Sequence, residues 1–355
     1  MEHRINKKIA FVSLGSGGTM GHFSFIQNIV KKIHNNFKEI LIISEYDYKD
    51  HTNFRSNNVK WLKVTSRKHQ KSISGNLDHK SSNEIYQLLK KENVSDTFFS
   101  TFFDTNLIKM LDAKKINSYL LSYPLRDNFF ELFILKKFNK YFKKVFILSD
   151  LHNIHTDLKN NMMVVNPVQK EINYNLKISS NSKKKILILV GGGGRPSSEK
   201  FLNMVEKSIF ELSKNKNIYF KIITGFSNKK LSISGPNIEI INWTKNIEKE
   251  YINCDFVISE AGYNTILELI LFKKPAIIIP GARRMDNQEL RAIEFEKRGM
   301  GYYVLPEENY TSLNEKFFKL LDKQDLTKKI KSFSKHLNSD NTKKGIIEVI
   351  MDELK

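Results

Sequence analysis

The chain has 355 residues, enough for two α/β domains of ordinary size. Its one cysteine, Cys254, precludes an internal disulfide and suits a reducing compartment, so packing beside a strand is its expected role. The formal charge of +20 comes from 58 basic residues against 38 acidic ones.

Only 9 of those basic residues are Arg, so a Lys-rich compositional bias accounts for much of the excess. A basic field still favours acidic lipid surfaces and nucleotide sugars. It also favours nucleic acid, but no helix-turn-helix or zinc spacing accompanies it, and nucleic acid is not an expected partner. No apolar run reaches the roughly 18 residues of a membrane span. The first, Ile9 to Leu14, is too short for a secretory leader and ends in glycines. The cytoplasm is the expected compartment, with the inner face of the plasma membrane as a candidate surface.

Lys8 to Leu14 has the apolar run of a buried strand. It enters a glycine turn, Gly15-Ser-Gly17-Gly18-Thr19-Met20-Gly21-His22, and a helix from about His22 past Ile33 follows. No Gly-Lys-Ser/Thr follows the turn, which argues against an ATP-binding P-loop, and the Gly-x-Gly-x-x-Gly dinucleotide spacing is missing too.

Further strands are predicted at Ile40–Ile43, Val59–Val64, Thr97–Ser100, Tyr119–Leu121 and Val145–Leu148, and helices at Ser82–Lys91 and Asn128–Phe142. Thr65–Lys80 is polar and aperiodic, hence a loop, either lining an acceptor site or plain surface. The 128–144 helix carries more aromatic and aliphatic positions than one face holds, with lysines at its end. It reads as a core helix whose lysines favour the C-terminal dipole, or as a helix lying on an acidic membrane.

The first domain should end near residue 168, with a polar linker over 169–184. A second domain follows over 185–340 and a C-terminal helix over 341–355, for which the first domain is the candidate packing partner. The second domain restarts the same plan. Ile186–Val190 is a strand, Gly191-Gly192-Gly193-Gly194-Arg195 a glycine loop, and Ser197–Ser213 a helix. Strands follow at Tyr219–Thr224 and Ile238–Ile241.

Phe256–Ile258 then reads as a strand, Ser259–Gly262 as a turn and Tyr263–Phe272 as a helix that Pro275 stops. Ala276–Ile279 is a further strand, followed by a polar loop from Gly281 to Asn287. Strand, glycine turn, helix and strand make a parallel sheet with a crossover helix, and the amides of the helix N-terminus suit a phosphate. Asn264, Thr265 and Glu268 share the exposed side of that helix start. A carboxylate there fits the hydroxyls of a ribose better than a phosphate.

Ser259-x-Ala-Gly262-x-x-Thr265-x-x-Glu268, Pro275 and Asp286-Asn-Gln288 together resemble the donor-binding segment of the MurG-like GT-B glycosyltransferases. That family includes the enzyme that completes lipid II and the galactosyl-diacylglycerol synthases. A set of bacterial predicted glycosyltransferases ends the segment in a run similar to Gln288-Glu-Leu-Arg291-Ala292. Gly17-Gly18-Thr19-Met20-Gly21-His22 also resembles the family's first loop, with Met20 in place of a glycine. The likeness is strong over 14–22 and 238–292, loose over 183–205 and not detectable between about 45 and 165.

The resemblance implies an α/β GT-B fold, two Rossmann-like domains with parallel sheets facing across a cleft. It also implies a UDP-sugar donor and a lipid-linked or cell-envelope glycan acceptor. The donor ligands implied are Gly18, Thr19, Gly191, Gly192, Gly193, Arg195, Gly262, Asn264, Thr265, Glu268 on the ribose, and Asp286, Asn287 and Gln288 on the sugar. Trp243 follows a strand where the family holds the base, flanking a uracil or merely packing.

His22 is the candidate base for an inverting transfer, since an imidazole titrates near neutrality; contact with the sugar and a purely structural hydrogen bond to the loop are its alternatives. Asp104, Arg126 and Asp127 are weaker acceptor-side candidates. No paired-carboxylate metal motif lies near the glycine loops, so no metal or other cofactor is expected. The departures are Glu289 for a second glutamine, Arg283-Arg284-Met285 for His-Lys, and glycines alone in the second-domain loop. They leave the sugar open. Rival readings are a nucleotide-sugar hydrolase or epimerase on the same fold, and a non-catalytic donor-binding subunit of a membrane complex.

Overall fold

The computed structural model describes residues 5–14, 20–45, 52, 54–64, 79–101, 103–124, 126, 137–151, 158–168, 183–191, 196–225, 227, 229–283, 286–322, 325–339 and 343–355. The chain divides into two compact units, one of Met1–Ser16, His22–Gln169 and Thr342–Lys355, the other of Gly17–Gly21 and Lys170–Asn341.

Among the described residues the first unit holds seven strands: β1 (Ile5–Ser13), β2 (Phe37–Ser44), β3 (Val59–Lys63), β4 (Asp96–Ser100), β5 (Asn117–Ser122), β6 (Lys144–Leu148) and β7 (Met162–Val165). They form one parallel sheet in the order β3-β2-β1-β4-β5-β6-β7. Helices α1 (Met20–Ile33), α2 (His79–Lys91) and α3 (Thr105–Ala113) connect the strands. A parallel sheet covered on both faces needs apolar residues along whole strands rather than on alternate positions. Accordingly Ile9, Ala10, Phe11 and Val12 of β1 and Phe98 and Phe99 of β4 are all fully buried.

The second unit repeats the scheme with β8 (Lys184–Leu189), β9 (Ile218–Ile223), β10 (Ile238–Ile241), β11 (Phe256–Glu260), β12 (Ala276–Ile279) and β13 (Gly301–Tyr303), all parallel in the order β10-β9-β8-β11-β12-β13. Its helices are α4 (Pro196–Leu212), α5 (Ile247–Asn253), α6 (Tyr263–Leu271), α7 (Gln288–Lys297), α8 (Tyr310–Asp322) and α9 (Asp325–Ser339). Leu202, Val205 and Ile209 of α4 and Leu313, Phe317 and Leu320 of α8 pack with Ile186, Ile188, Phe220, Ile258 and Ile277 from the strands. Each such side chain stabilises the fold by about 1.5–3 kcal/mol through burial. The last helix, α10 (Ile346–Leu354), belongs to the first unit, where Asn166 accepts from Ile346 N at 2.9 Å.

In both sheets the strand order reverses direction beside the first strand. The switch falls between β1 and β4 in one unit and between β8 and β11 in the other. Ligands of open α/β sheets bind outside the carboxyl ends of the strands at such a switch.

Three expectations need correction. The segment predicted as a helix to Phe142 is not α-helical at its end, since Asn139–Tyr141 is a single 3-10 turn; residues 127–136 lie outside the described residues, as does the predicted loop over 65–78. His79 and Lys80 already belong to α2. The strand before the donor turn runs on through Ser259 to Glu260, which leaves only Ala261 and Gly262 before α6.

Candidate functional site

In the second unit the carboxyl ends of β8, β11 and β12 carry Gly191, Glu260 and Gly281. Gly191 sits just past β8 in the left-handed region at φ +64, which a residue with a Cβ rarely adopts. Gly262 is the N-cap of α6 at φ −62, a conformation open to any residue, and among the described residues a Cβ placed there would meet only Thr265 Oγ1, at 3.5 Å. The protein therefore does not itself require glycine at 262. Behind Gly262 the first amides of α6 have no carbonyl of their own helix to bond and carry the positive end of its dipole.

Asn264 and Thr265 stand half-buried on the first turn of α6, and Glu268 half-buried on the second. The Glu268 carboxylate lies beside the Tyr251 phenol. Burial, reinforced by that carboxylate, pushes the phenol well above its ordinary pKa. The Tyr251 ring is stacked on Phe272 at 5.0 Å, which fixes the back wall against which Glu268 rests. Trp243, half-buried, follows β10.

The switch point also holds residues the sequence did not single out. Glu260, 5% exposed, accepts from Arg283 Nη2 at 2.9 Å and from the buried Ser198 Oγ at 3.4 Å. A Cβ on Gly281 would stand 3.1 Å from Glu260 Oε1 and 3.2 Å from Gln288 Oε1, so glycine makes room for this polar cluster. Gln288 Oε1 accepts from Gly281 N at 2.8 Å, and its Nε2 donates to Asp286 Oδ2 at 3.1 Å. Arg291, fully buried, donates from Nη2 to Asp286 Oδ1 and from Nη1 to Ala261 O, both at 2.8 Å. Asn287 caps α7, its Oδ1 accepting from Leu290 N.

Among the sugar-side candidates, then, Gln288 is buried and bonded within the protein, and Asn287 is a helix cap. Asp286, its side chain 31% exposed, keeps contact with solvent while Arg291 and Gln288 hold it. A carboxylate has about four acceptor sites, so Asp286 retains capacity for a sugar hydroxyl. In the sequence Arg283 stands out as a departure from the family's His-Lys, and the Gln-x-x-Arg run contains Arg291. Neither signal disclosed Glu260 as the partner.

In the first unit, His22 lies on the first turn of α1 with Nδ1 3.3 Å from Ser100 Oγ at the carboxyl end of β4. Its ring packs on Tyr123 with centroids 5.1 Å apart. Arg126 is half-buried past β5. Asp104 is corrected. Fully buried, it caps α3 by accepting from Leu107 N at 2.7 Å and from Ser82 Oγ at 2.6 Å, the geometry of a helix cap rather than of a group that meets an acceptor. Gly18, Thr19, Gly192, Gly193, Arg195 and Asp127 lie outside the described residues. Among the described residues no group of three or more His, Cys, Asp or Glu side chains is placed to hold a metal ion, and no helix is long and apolar enough to cross a membrane.

Residues 186–348 match the family model of the glycosyltransferase family 28 C-terminal domain. The UDP-N-acetylglucosamine–N-acetylmuramyl-(pentapeptide) pyrophosphoryl-undecaprenol N-acetylglucosamine transferase of Clostridioides difficile is 30% identical over 205 residues, covering 53% of this chain and 48% of the relative, about half its length. The enzyme of the same name from Sulfurihydrogenibium is 26% identical over 364 residues, covering 97% of this chain and 99% of the relative. Among solved structures, Acinetobacter baumannii MurG matches with a TM-score of 0.63 at 14% identity, over 98% of this chain and 99% of that one.

Proposed function

We propose that this chain is a MurG-like GT-B glycosyltransferase that moves a sugar from a UDP-sugar to a hydroxyl of a lipid-linked acceptor, with inversion and without a metal ion, a reading supported by the family 28 match over residues 186–348 and by the relatives similar to it. N-acetylglucosamine, named in the relatives, is the first candidate sugar, and a cell-envelope glycan precursor the candidate acceptor.

The observation that carries the reading is at the β11–α6 turn. A glycine that the fold does not need opens a helix N-terminus at the switch point, and a half-buried carboxylate follows on the second turn. In this reading the α6 amides take the diphosphate and stabilise its charge as it leaves, Glu268 takes the ribose hydroxyls and Trp243 flanks the base. Asp286, held by Arg291, accepts from a hydroxyl of the sugar. His22 removes the acceptor proton as the new glycosidic bond forms at the anomeric carbon and the bond to UDP breaks. The basic surface favours an anionic membrane carrying the acceptor.

The test is UDP release from UDP-N-acetylglucosamine with and without a polyprenyl-diphosphate acceptor, the product anomer being read by NMR. Release that depends on acceptor, with inverted product and no effect of chelator, is expected. Equal release without acceptor would identify a hydrolase instead.

A further inference from the structure

His22 approaches the carboxyl end of β4, and the residue after its partner Ser100 is in an unusual conformation. Thr101 has φ +59, a left-handed backbone that a β-branched residue adopts only where its surroundings hold it. Three contacts do so. Thr101 N donates to Leu121 O at 2.7 Å, its Oγ1 approaches the same carbonyl at 3.4 Å, and Oγ1 accepts from Tyr123 N at 3.0 Å.

The two residues that this turn fixes, Ser100 and Tyr123, both touch the imidazole. Ser100, 1% exposed, meets His22 Nδ1 by its edge, and Tyr123 meets the ring, itself braced on Phe25 at 5.3 Å. Strain of this kind collects where a functional geometry must be imposed on the chain.

We propose that Ser100 is a positioning residue for His22: its Oγ accepts the Nδ1–H of the imidazole, sets the tautomer with the lone pair on Nε2, and the strained Thr101 turn holds that oxygen in place. A base oriented by a third group is the general arrangement of activated proton acceptors, and here a buried hydroxyl fills the part usually taken by a carboxylate. The proton taken from the acceptor hydroxyl goes to Nε2 and the imidazole becomes a cation, with Nδ1–H still donating to Ser100. This rests on the reading of His22 as the base.

The experiment compares Ser100→Ala, Ser100→Thr and His22→Ala. In ¹⁵N-detected spectra of the unliganded full chain, the wild-type His22 signal should show the Nδ1–H tautomer, and Ser100→Ala should shift it toward Nε2–H. Turnover of Ser100→Ala should fall by about tenfold to a hundredfold at unchanged KM for the UDP-sugar and unchanged melting temperature, with partial rescue in Ser100→Thr. An Nε2–H tautomer in the wild type, or a Ser100→Ala variant with wild-type kcat beside an inactive His22→Ala, would overturn the assignment while leaving the base in place. An active His22→Ala would overturn the base reading itself, a different result.

Discussion

Arg291 reaches from α7 to two points on either side of the donor turn, Asp286 Oδ1 and Ala261 O, each at 2.8 Å. The second is the carbonyl immediately before the α6 N-cap, and the first is the carboxylate proposed to hold the sugar. A single fully buried guanidinium thus ties the start of α6 to the Asp286 carboxylate. The planar fork of Arg can serve two acceptors at once, which an ammonium cannot match in the same geometry.

Replacing Arg291 by Met should therefore lower stability by about 2–3 kcal/mol. That is the low end for a broken buried pair, because Asp286 keeps access to water. Arg291→Lys should recover less than half of the loss. Chemical denaturation measures both, and a midpoint unchanged in Arg291→Met would contradict the coupling.

Glu260 is buried and the Arg283 side chain is only 13% exposed, so their pairing should show as coupling rather than as a pair of independent losses. In a double-mutant cycle of Glu260→Gln and Arg283→Met, the interaction term is expected at about 1–3 kcal/mol and little changed by salt. Additive effects, or a term that vanishes at high salt, would show the pair to be a surface contact in energetic terms.

Two glycines offer opposite outcomes from the same substitution. At Gly301 a Cβ would sit 1.9 Å from the Ala276 carbonyl oxygen of the neighbouring strand β12, so Gly301→Ala should cost about 3 kcal/mol or more. At Gly262 a Cβ meets, among the described residues, only Thr265 at 3.5 Å, so Gly262→Ala should fold within about 0.5 kcal/mol of wild type. It should nevertheless lose at least about tenfold in UDP affinity if the diphosphate approaches this backbone, a difference of about 1.4 kcal/mol. Thermal melts with and without UDP separate the two effects; equal losses of stability at 262 and 301 would refute the distinction.

Cys254 is buried, and that burial pushes its thiol up to about 12. A folded value above the unfolded one favours the neutral thiol in the native state. The resulting stabilisation is complete below about pH 8.5, the ordinary cysteine value, and declines as pH rises from there toward 12. A chromogenic disulfide reagent at pH 8 should leave the native thiol unreacted for hours and label it at once in denaturant. Rapid labelling of native protein would show the thiol to be accessible.

Much of the fold was legible because buried parallel strands are written as continuous apolar runs. Ile186–Val190 and Phe256–Ile258 declare themselves in that way, and the glycine turns that follow mark the start of each helix. Short strands carry too few residues for such a signal, so β7, with Met162–Val165, and β13, with only Gly-Tyr-Tyr, emerged from the pairing of neighbours. Glu268 was reachable through a spaced motif on one helix. Glu260 was not, because its role depends on Arg283 from another strand end. A positive φ at Thr101 has no sequence signature at all. Asp104 misled because a carboxylate after a strand suggests a site, whereas an Asp three residues before Leu107 is equally the mark of a helix cap.

The proposed function requires Glu268 to hold the ribose of a uridine nucleotide beside the α6 amides. Isothermal titration of UDP into wild type and Glu268→Ala, both checked for equal melting temperature, measures this directly. The predicted result is a Kd raised by one to two orders of magnitude in the variant, about 1.4–2.7 kcal/mol, with the stoichiometry unchanged. Equal affinity for UDP in the two proteins would contradict it.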